Sequence, residues 1–326
     1  MLFTGFYWSQ LLNLVSITVV FVVFFYGARQ YISYIGLDFA YTMIFIATII
    51  VCCFGFVEFM LNNYTAINID AFLYRPSVPD MDAVALGLFE RSRSVTAEPG
   101  HLAYFYSIFF PLCYFYLRHK PFLTLVSSIL FMVSFLLTFS AAGFGIALFV
   151  SAPIVLCHMI KSLRAAGVLL LVVGGFVFGL SSIGVIDVIV QVVQGKLTIA
   201  SGSGEHRWTT LTNVLDLYVS SGSLVLLFGL GPGFYKSSMV DPAISFYVNL
   251  VAELGIAGLL AYMVFWLWLF LEICKMDGSK RIVYLISFLN ASVYFAIVGN
   301  YWYPWFWFLC AMVISENLIL FRNEKG

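Results

Sequence analysis

The chain reads as an all-α polytopic membrane protein with about nine transmembrane helices and two extracytoplasmic loops that carry short helices. Three observations predict this. First, 62% of the 326 residues are hydrophobic and 10% are charged, with a mean hydropathy of +1.00. No soluble core hides that much apolar surface, so much of it must face lipid. Second, the apolar residues come in unbroken runs such as LLNLVSITVVFVVFF. A membrane β-barrel would instead alternate polar and apolar positions in short segments. Third, lysine and arginine are divided unevenly between the two sets of span ends.

A span needs about 20 apolar residues. Nine segments qualify, at about 9–28, 41–61, 101–117, 121–139, 143–160, 165–189, 243–273, 282–299 and 304–321. One set of ends carries Arg29, Arg118, Lys120, Lys161, Arg164, Lys275, Lys280, Arg281, Arg322 and Lys325. The other carries Arg75, Arg91, Arg93, Lys196, Arg207 and Lys236, spread over much longer loops. The positive-inside rule makes the first set cytoplasmic. The N-terminus then lies outside, which a further helix upstream would explain. No basic n-region or small-residue cleavage site marks a signal peptide. The whole of 1–326 is expected to form a single integral membrane domain. The net charge is zero, so nothing draws the chain toward nucleic acid. Its six cysteines fall in or beside spans without metal-ligand spacing.

Two loops face outward, 62–100 and 190–242. Within the first, DAVALGLFERS reads as a short amphipathic interfacial helix. Next comes RSRSVTAEPGH, with Arg91, Arg93, Glu98 and His101 at the mouth of the third span. Pro99 suits the first turn of a helix, which puts Glu98 at its N-terminus, where free N–H groups favour an anion. Arginines that anchor to lipid phosphate are the bland alternative. The second loop holds GSGEHRW, in which Glu205, His206 and Arg207 open a helix that WTTLTNVLDLYV continues. It also holds GLGPGFYK, whose glycines should break any helix; Tyr235 and Lys236 close it as candidate substrate contacts. Forked arginine donors match phosphate oxygens, so Arg91, Arg93 and Arg207 point to a pyrophosphate. Asp241-Pro242 reads as a cap for the seventh span. Glu58 and Glu253 are carboxyl groups within spans, and Glu253 is expected to pair with a loop arginine or to be a bonded packing residue. Asp80-Met81-Asp82 is a short acidic triplet that a Pro-rich turn accounts for, and no metal site is expected. The aromatic run NYWYPWFWF reads as an interfacial belt.

The ordered outer-face segments resemble those of bacterial O-antigen polymerases and O-antigen ligases. RSRSVTAEP is similar to the family's Arg…Glu-Pro segment, with Arg91 seven residues before Glu98. Arg207, Gly229, Gly231, Gly233 and Phe234 take the positions of its Arg…Gly-x-Gly-x-Phe segment. Glu253, Gly255 and Gly258 take those of its Glu-x-Gly-x-x-Gly helix. Ligases usually carry a His-Asn pair where Ile244 and Ser245 stand here, so polymerase is favoured over ligase. The turn SAAG at 140–143 lacks the arginine common in the family, and the chain is shorter before residue 90.

The resemblance implies the membrane-embedded C-type glycosyltransferase fold, multi-pass in a bacterial inner membrane with its active face periplasmic. It implies metal-independent, inverting transfer of a glycan from an undecaprenyl-pyrophosphate-linked oligosaccharide donor to the hydroxyl of an acceptor repeat unit. No cofactor is implied, and a chain-length regulator protein is a further partner. In that scheme Glu98 is the general base and Arg91 and Arg207 act on the leaving group. Arg93, His101, His206, Tyr235 and Lys236 bind substrate. Alternatively Glu98 orients Arg91 or Arg207, and His101 or His206 is the base. Outside this class, a glycolipid flippase would instead place its charges at the bilayer midplane.

Overall fold

A computed structural model describes residues 8–65, 67, 69, 84–85, 89–152, 154, 202–235, 241–298 and 303–323. The predicted span 165–189, the triplet 80–82 and Lys236 lie outside the described residues, as does the side chain of His206. The described residues are overwhelmingly helical. In order they form α1 (Trp8–Phe21), a π-helical stretch (Val22–Gly27), α2 (Ala28–Ile35), α3 (Leu37–Tyr64), α4 (Pro99–Leu117), α5 (Pro121–Leu136) and α6 (Ala141–Ile146). After the segment outside the description come α7 (Gly202–Ser220), α8 (Ser223–Phe228), α9 (Phe246–Cys274), α10 (Gly278–Tyr294) and α11 (Pro304–Asn323). Three runs are long and apolar enough to cross a membrane: Leu14–Ile35, Leu37–Tyr64 and Phe246–Cys274. Shorter apolar helices cover Pro121–Leu136, Ala141–Ser151 and Pro304–Ile319. The chain is a helical membrane protein. Its outward residues agree, since α9 exposes Leu260, Val264, Leu267 and Leu271 along one stripe.

Local sequence explains the helix ends. Pro99, Pro121 and Pro304 each begin a helix, where a missing N–H costs nothing. Ser140 caps α6 by accepting a bond from the Gly143 N–H. Gly36, at φ 90°, ends α2 and lets α3 start one residue later. The first helical run therefore continues past Arg29, which lies in α2 and not in a connector.

Two sequence expectations fail. The segment predicted as an interfacial helix is a two-residue antiparallel pairing instead, β1 (Val84–Ala85) with β2 (Phe89–Glu90). Asn63, near the end of α3, clamps its second strand by accepting from the Glu90 N–H (2.7 Å) and donating to the Glu90 carbonyl (3.0 Å). Apolar spacing alone cannot register that tie. Asp241 is not the cap of α9, which starts five residues later with Ser245 at the N-cap. The approach to α9 is instead held by Asn249, whose amide exchanges bonds of 2.9 and 2.8 Å with the backbone of Ala243.

The fold divides into two compact units, one comprising 1–42 with 205–326 and the other 43–204. In the first, α11 packs on α2 and the π-helical stretch, and α9, α10 and α11 pack on one another. Trp266, Phe288, Phe295 and Phe306 form their aromatic core. A polar knot lies inside this unit. Glu316, 1% exposed, accepts from Lys280 Nζ (2.6 Å) and from the Tyr41 hydroxyl (2.8 Å), which also bonds Tyr284 (2.9 Å). In the second unit α4 is buried over most of its length and packs on α5 and α6. Phe110 stacks on Phe131, and the Tyr106 hydroxyl bonds Ser134.

Tyr41→Phe removes the hydroxyl that joins Glu316 to Tyr284 and leaves buried polar atoms short of a partner. Such a loss costs about 1–3 kcal/mol, so the unfolding midpoint of detergent-solubilised protein should fall by several degrees.

Candidate functional site

The glycines and acids of the second loop and α9 fold into one assembly. Within α9 the backbone leaves helical geometry at Gly255 (φ 67°, ψ −169°), so the helix is broken there. A break inside an apolar segment strands backbone polar groups, and lipid offers them nothing. The loop after α8 supplies partners. Leu230 N–H donates to the Ala252 carbonyl (2.7 Å) and Gly231 N–H to the Glu253 carbonyl (3.0 Å). The Glu253 side chain, 4% exposed, turns back and accepts from Gly233 N–H (2.9 Å). A loop amide is thus among its bonded partners. Beside it the Tyr218 hydroxyl donates to the Leu226 carbonyl in α8.

Only glycine fits where these segments cross. A Cβ on Gly229 would stand 2.2 Å from the Glu253 carbonyl oxygen, and one on Gly255 2.3 Å from that of Leu227. Both residues also hold a positive φ. Phe234 is 3% exposed in a core with Val214, Tyr218, Val225, Ala243 and Ala252, and Tyr235 packs edge-on against it.

Arg207 sits in the first turns of α7, three residues before Thr210 on the face that also buries Val214 and Tyr218. It is exposed, with Nη1 3.4 Å from the Ile297 carbonyl. The buried face of α7 therefore leads to Arg207, and the Tyr218 hydroxyl ties that face to α8.

The first-loop residues belong to the other unit. Arg91 is 8% exposed, and its Nε donates to the Thr138 carbonyl (3.0 Å). Ser92 N–H donates to the Leu137 carbonyl (2.9 Å). The two groups meet carbonyls left over at the C-terminal end of α5, where a cation is favoured. The sequence offered Arg91 a phosphate or Glu98 as its partner; the structure gives its Nε a bracing bond to the Thr138 carbonyl, which neither reading foresaw. Arg93 is half-buried, with Nη1 3.4 Å from the Ala97 carbonyl. Glu98 is the N-cap of α4, as predicted, but its side chain makes no capping bond. Its Oε2 instead lies 3.9 Å from His101 Nε2, one turn along, with Glu98 35% and His101 8% exposed. A carboxyl group with one side open, next to a buried imidazole, can accept or relay a proton.

Sequence reasoning missed the contact that organises this loop. Glu58, 1% exposed in α3, points one oxygen at Ser92 Oγ (3.2 Å), Arg93 N–H (3.0 Å) and Ser94 N–H (2.6 Å). Its only sequence signal is an acid alone in an apolar run. Among the described residues, no three His, Cys, Asp or Glu side chains gather as metal ligands.

No family model, curated protein or solved structure matches the chain.

Gly229→Ala and Gly222→Ala separate close approach from backbone strain. Both glycines have a positive φ, but nothing lies within 4 Å of a Cβ on Gly222. Gly222→Ala should cost about 1–3 kcal/mol, whereas Gly229→Ala should abolish monodisperse protein in size-exclusion chromatography.

Proposed function

We propose that this protein is a glycosyltransferase that polymerises a surface polysaccharide from lipid-linked repeat units. The donor is an undecaprenyl-pyrophosphate oligosaccharide, and the nucleophile is a hydroxyl of a second lipid-linked unit. The observation that carries the reading is the assembly at Gly255. Residues from two separate segments of the family pattern (Gly229, Gly231 and Gly233, then Glu253 and Gly255) interlock through hydrogen bonds and mutual close approach. Chance matches to degenerate motifs would have no reason to do so.

In this reading nine spans cross a bacterial inner membrane, and the loops bearing Glu98 and Arg207 face the periplasm. Glu98 takes the proton from the attacking hydroxyl, aided by His101. Arg93 and Arg207 offer donors to the diphosphate as it leaves, and Arg91 does so with the part of its guanidinium not used on Thr138. A single displacement inverts the anomeric carbon.

Transport is the second reading, favoured by the broken helix, because discontinuous helices commonly frame transported solutes. Here the carbonyls beside the break bond loop amides, which supports an architectural use for them. Product separates the remaining alternatives: a ladder of repeats for a polymerase, one transfer to lipid A-core for a ligase, and no new glycosidic bond for a flippase.

Purified protein incubated with undecaprenyl-pyrophosphate repeat units should yield a ladder resolved by size. Arg207→Ala should cut chain extension at least a hundredfold with unchanged membrane insertion, since an electrostatic donor of this kind is worth about 3–4 kcal/mol. A normal ladder from that variant would overturn the role. Glu98→Gln should stop turnover while still retaining radiolabelled donor on a filter; full activity would remove Glu98 as the base.

A further inference from the structure

The RSRS segment is fastened to α3 along a single line. Ser94 Oγ donates to the Val51 carbonyl (2.9 Å) and Ser92 Oγ to the Gly55 carbonyl (2.9 Å), one helical turn apart. One further turn along, Glu58 receives the Arg93 and Ser94 amides. Gly55 leaves room for the strap, since a Cβ there would come within 2.9 Å of Ser92 Oγ. Ser94 holds φ 49°, a left-handed conformation unusual for serine. The successive N–H groups thereby turn to one side and form a small anion-binding nest, and the protein's own carboxyl group fills it. The alternation of the sequence now has a cause. Both serine side chains bond the helix, while the arginine side chains between and beside them bond elsewhere, on Thr138 and Ala97.

We infer that Glu58, which belongs to none of the recognised segments, is a positioning residue for the glycosyl-transfer site. By holding the Arg93 and Ser94 amides it sets where the Arg93 side chain and the following Glu98 stand. This rests on the proposed function. Removing the charge of the acceptor should loosen the loop backbone without emptying the core, because the two serine straps and the Ser92–Leu137 bond remain.

The test compares wild type, Glu58→Gln and Ser92→Ala in nanodiscs by amide hydrogen exchange, thermal unfolding and steady-state chain extension with the undecaprenyl-pyrophosphate donor. Glu58→Gln should keep its unfolding midpoint within a few degrees. Exchange in the peptide containing Arg93 and Ser94 should quicken about tenfold, the scale of one weakened charge-assisted bond. KM for the donor should rise about tenfold, with kcat changed much less. Ser92→Ala keeps the carboxyl group and should shift both readouts in the same direction by less. Unchanged exchange in Glu58→Gln overturns the anchor. Faster exchange with unchanged donor KM overturns the positioning role and leaves Glu58 as a fold brace. If wild type itself makes no glycosidic bond, the polymerase reading and the positioning role fall together. The exchange difference in the same samples then decides the anchor alone.

Discussion

A carboxyl group buried in an apolar helix and held by the backbone amides of a loop is the interaction on which the described structure turns. It occurs twice, at Glu58 with the Arg93 and Ser94 amides and at Glu253 with the Gly233 amide. In lipid an unpaired polar group is costly, and a loop's amides have the same need for partners. Each problem solves the other. The carboxyl group fixes a loop that has no regular structure of its own, and the loop makes the carboxyl group tolerable. Long irregular connections can therefore lie against spans without exposing bare backbone to the bilayer.

Glycine makes the second instance feasible. At Gly229 and Gly255 two backbones cross closer than any side chain allows. Carbonyls released by the break in α9 then find the loop's N–H groups within bonding distance. The first instance uses serine for the same purpose. Ser92 and Ser94 bond carbonyls of an intact helix, and Gly55 provides the clearance. The buried Glu316 follows a different rule, satisfied by side chains from Tyr41 and Lys280 and by no loop. It locks helices together and orders no connection.

Much of this was legible in the sequence because it depends on local chemistry. The apolar runs marked α3 and α9, Pro99 marked the start of α4, and GLGPG marked a turn. The helical spacing of WTTLTNVLDLYV marked α7. What stayed hidden depends on residues far apart in the chain. The strand Phe89–Glu90 is held by Asn63, and the start of α9 by Asn249 in place of Asp241. Nothing in the composition of either segment signals those partners. The site was half readable in the same sense. Arg91, Glu98, Arg207 and Glu253 stood out as charges in an oily chain, but the bracing bond of Arg91 required Thr138 to be placed beside it. Glu58 stood out as an acid and not as an anchor.

The sequence separation of these contacts also imposes an order on assembly. Gly233 and Glu253 are 20 residues apart, so their bond closes a short loop while later helices are still being synthesised. The amides that α9 needs leave the ribosome before the carbonyls they will meet. Glu58 and Arg93 are 35 apart and can likewise join before the second half of the chain exists. Tyr41 and Glu316 lie 275 apart, and their bond waits for the last helix. The loops are thus set early and the bundle is tied last, so a chain truncated before α11 keeps the means to shape both loops while lacking the Glu316 knot.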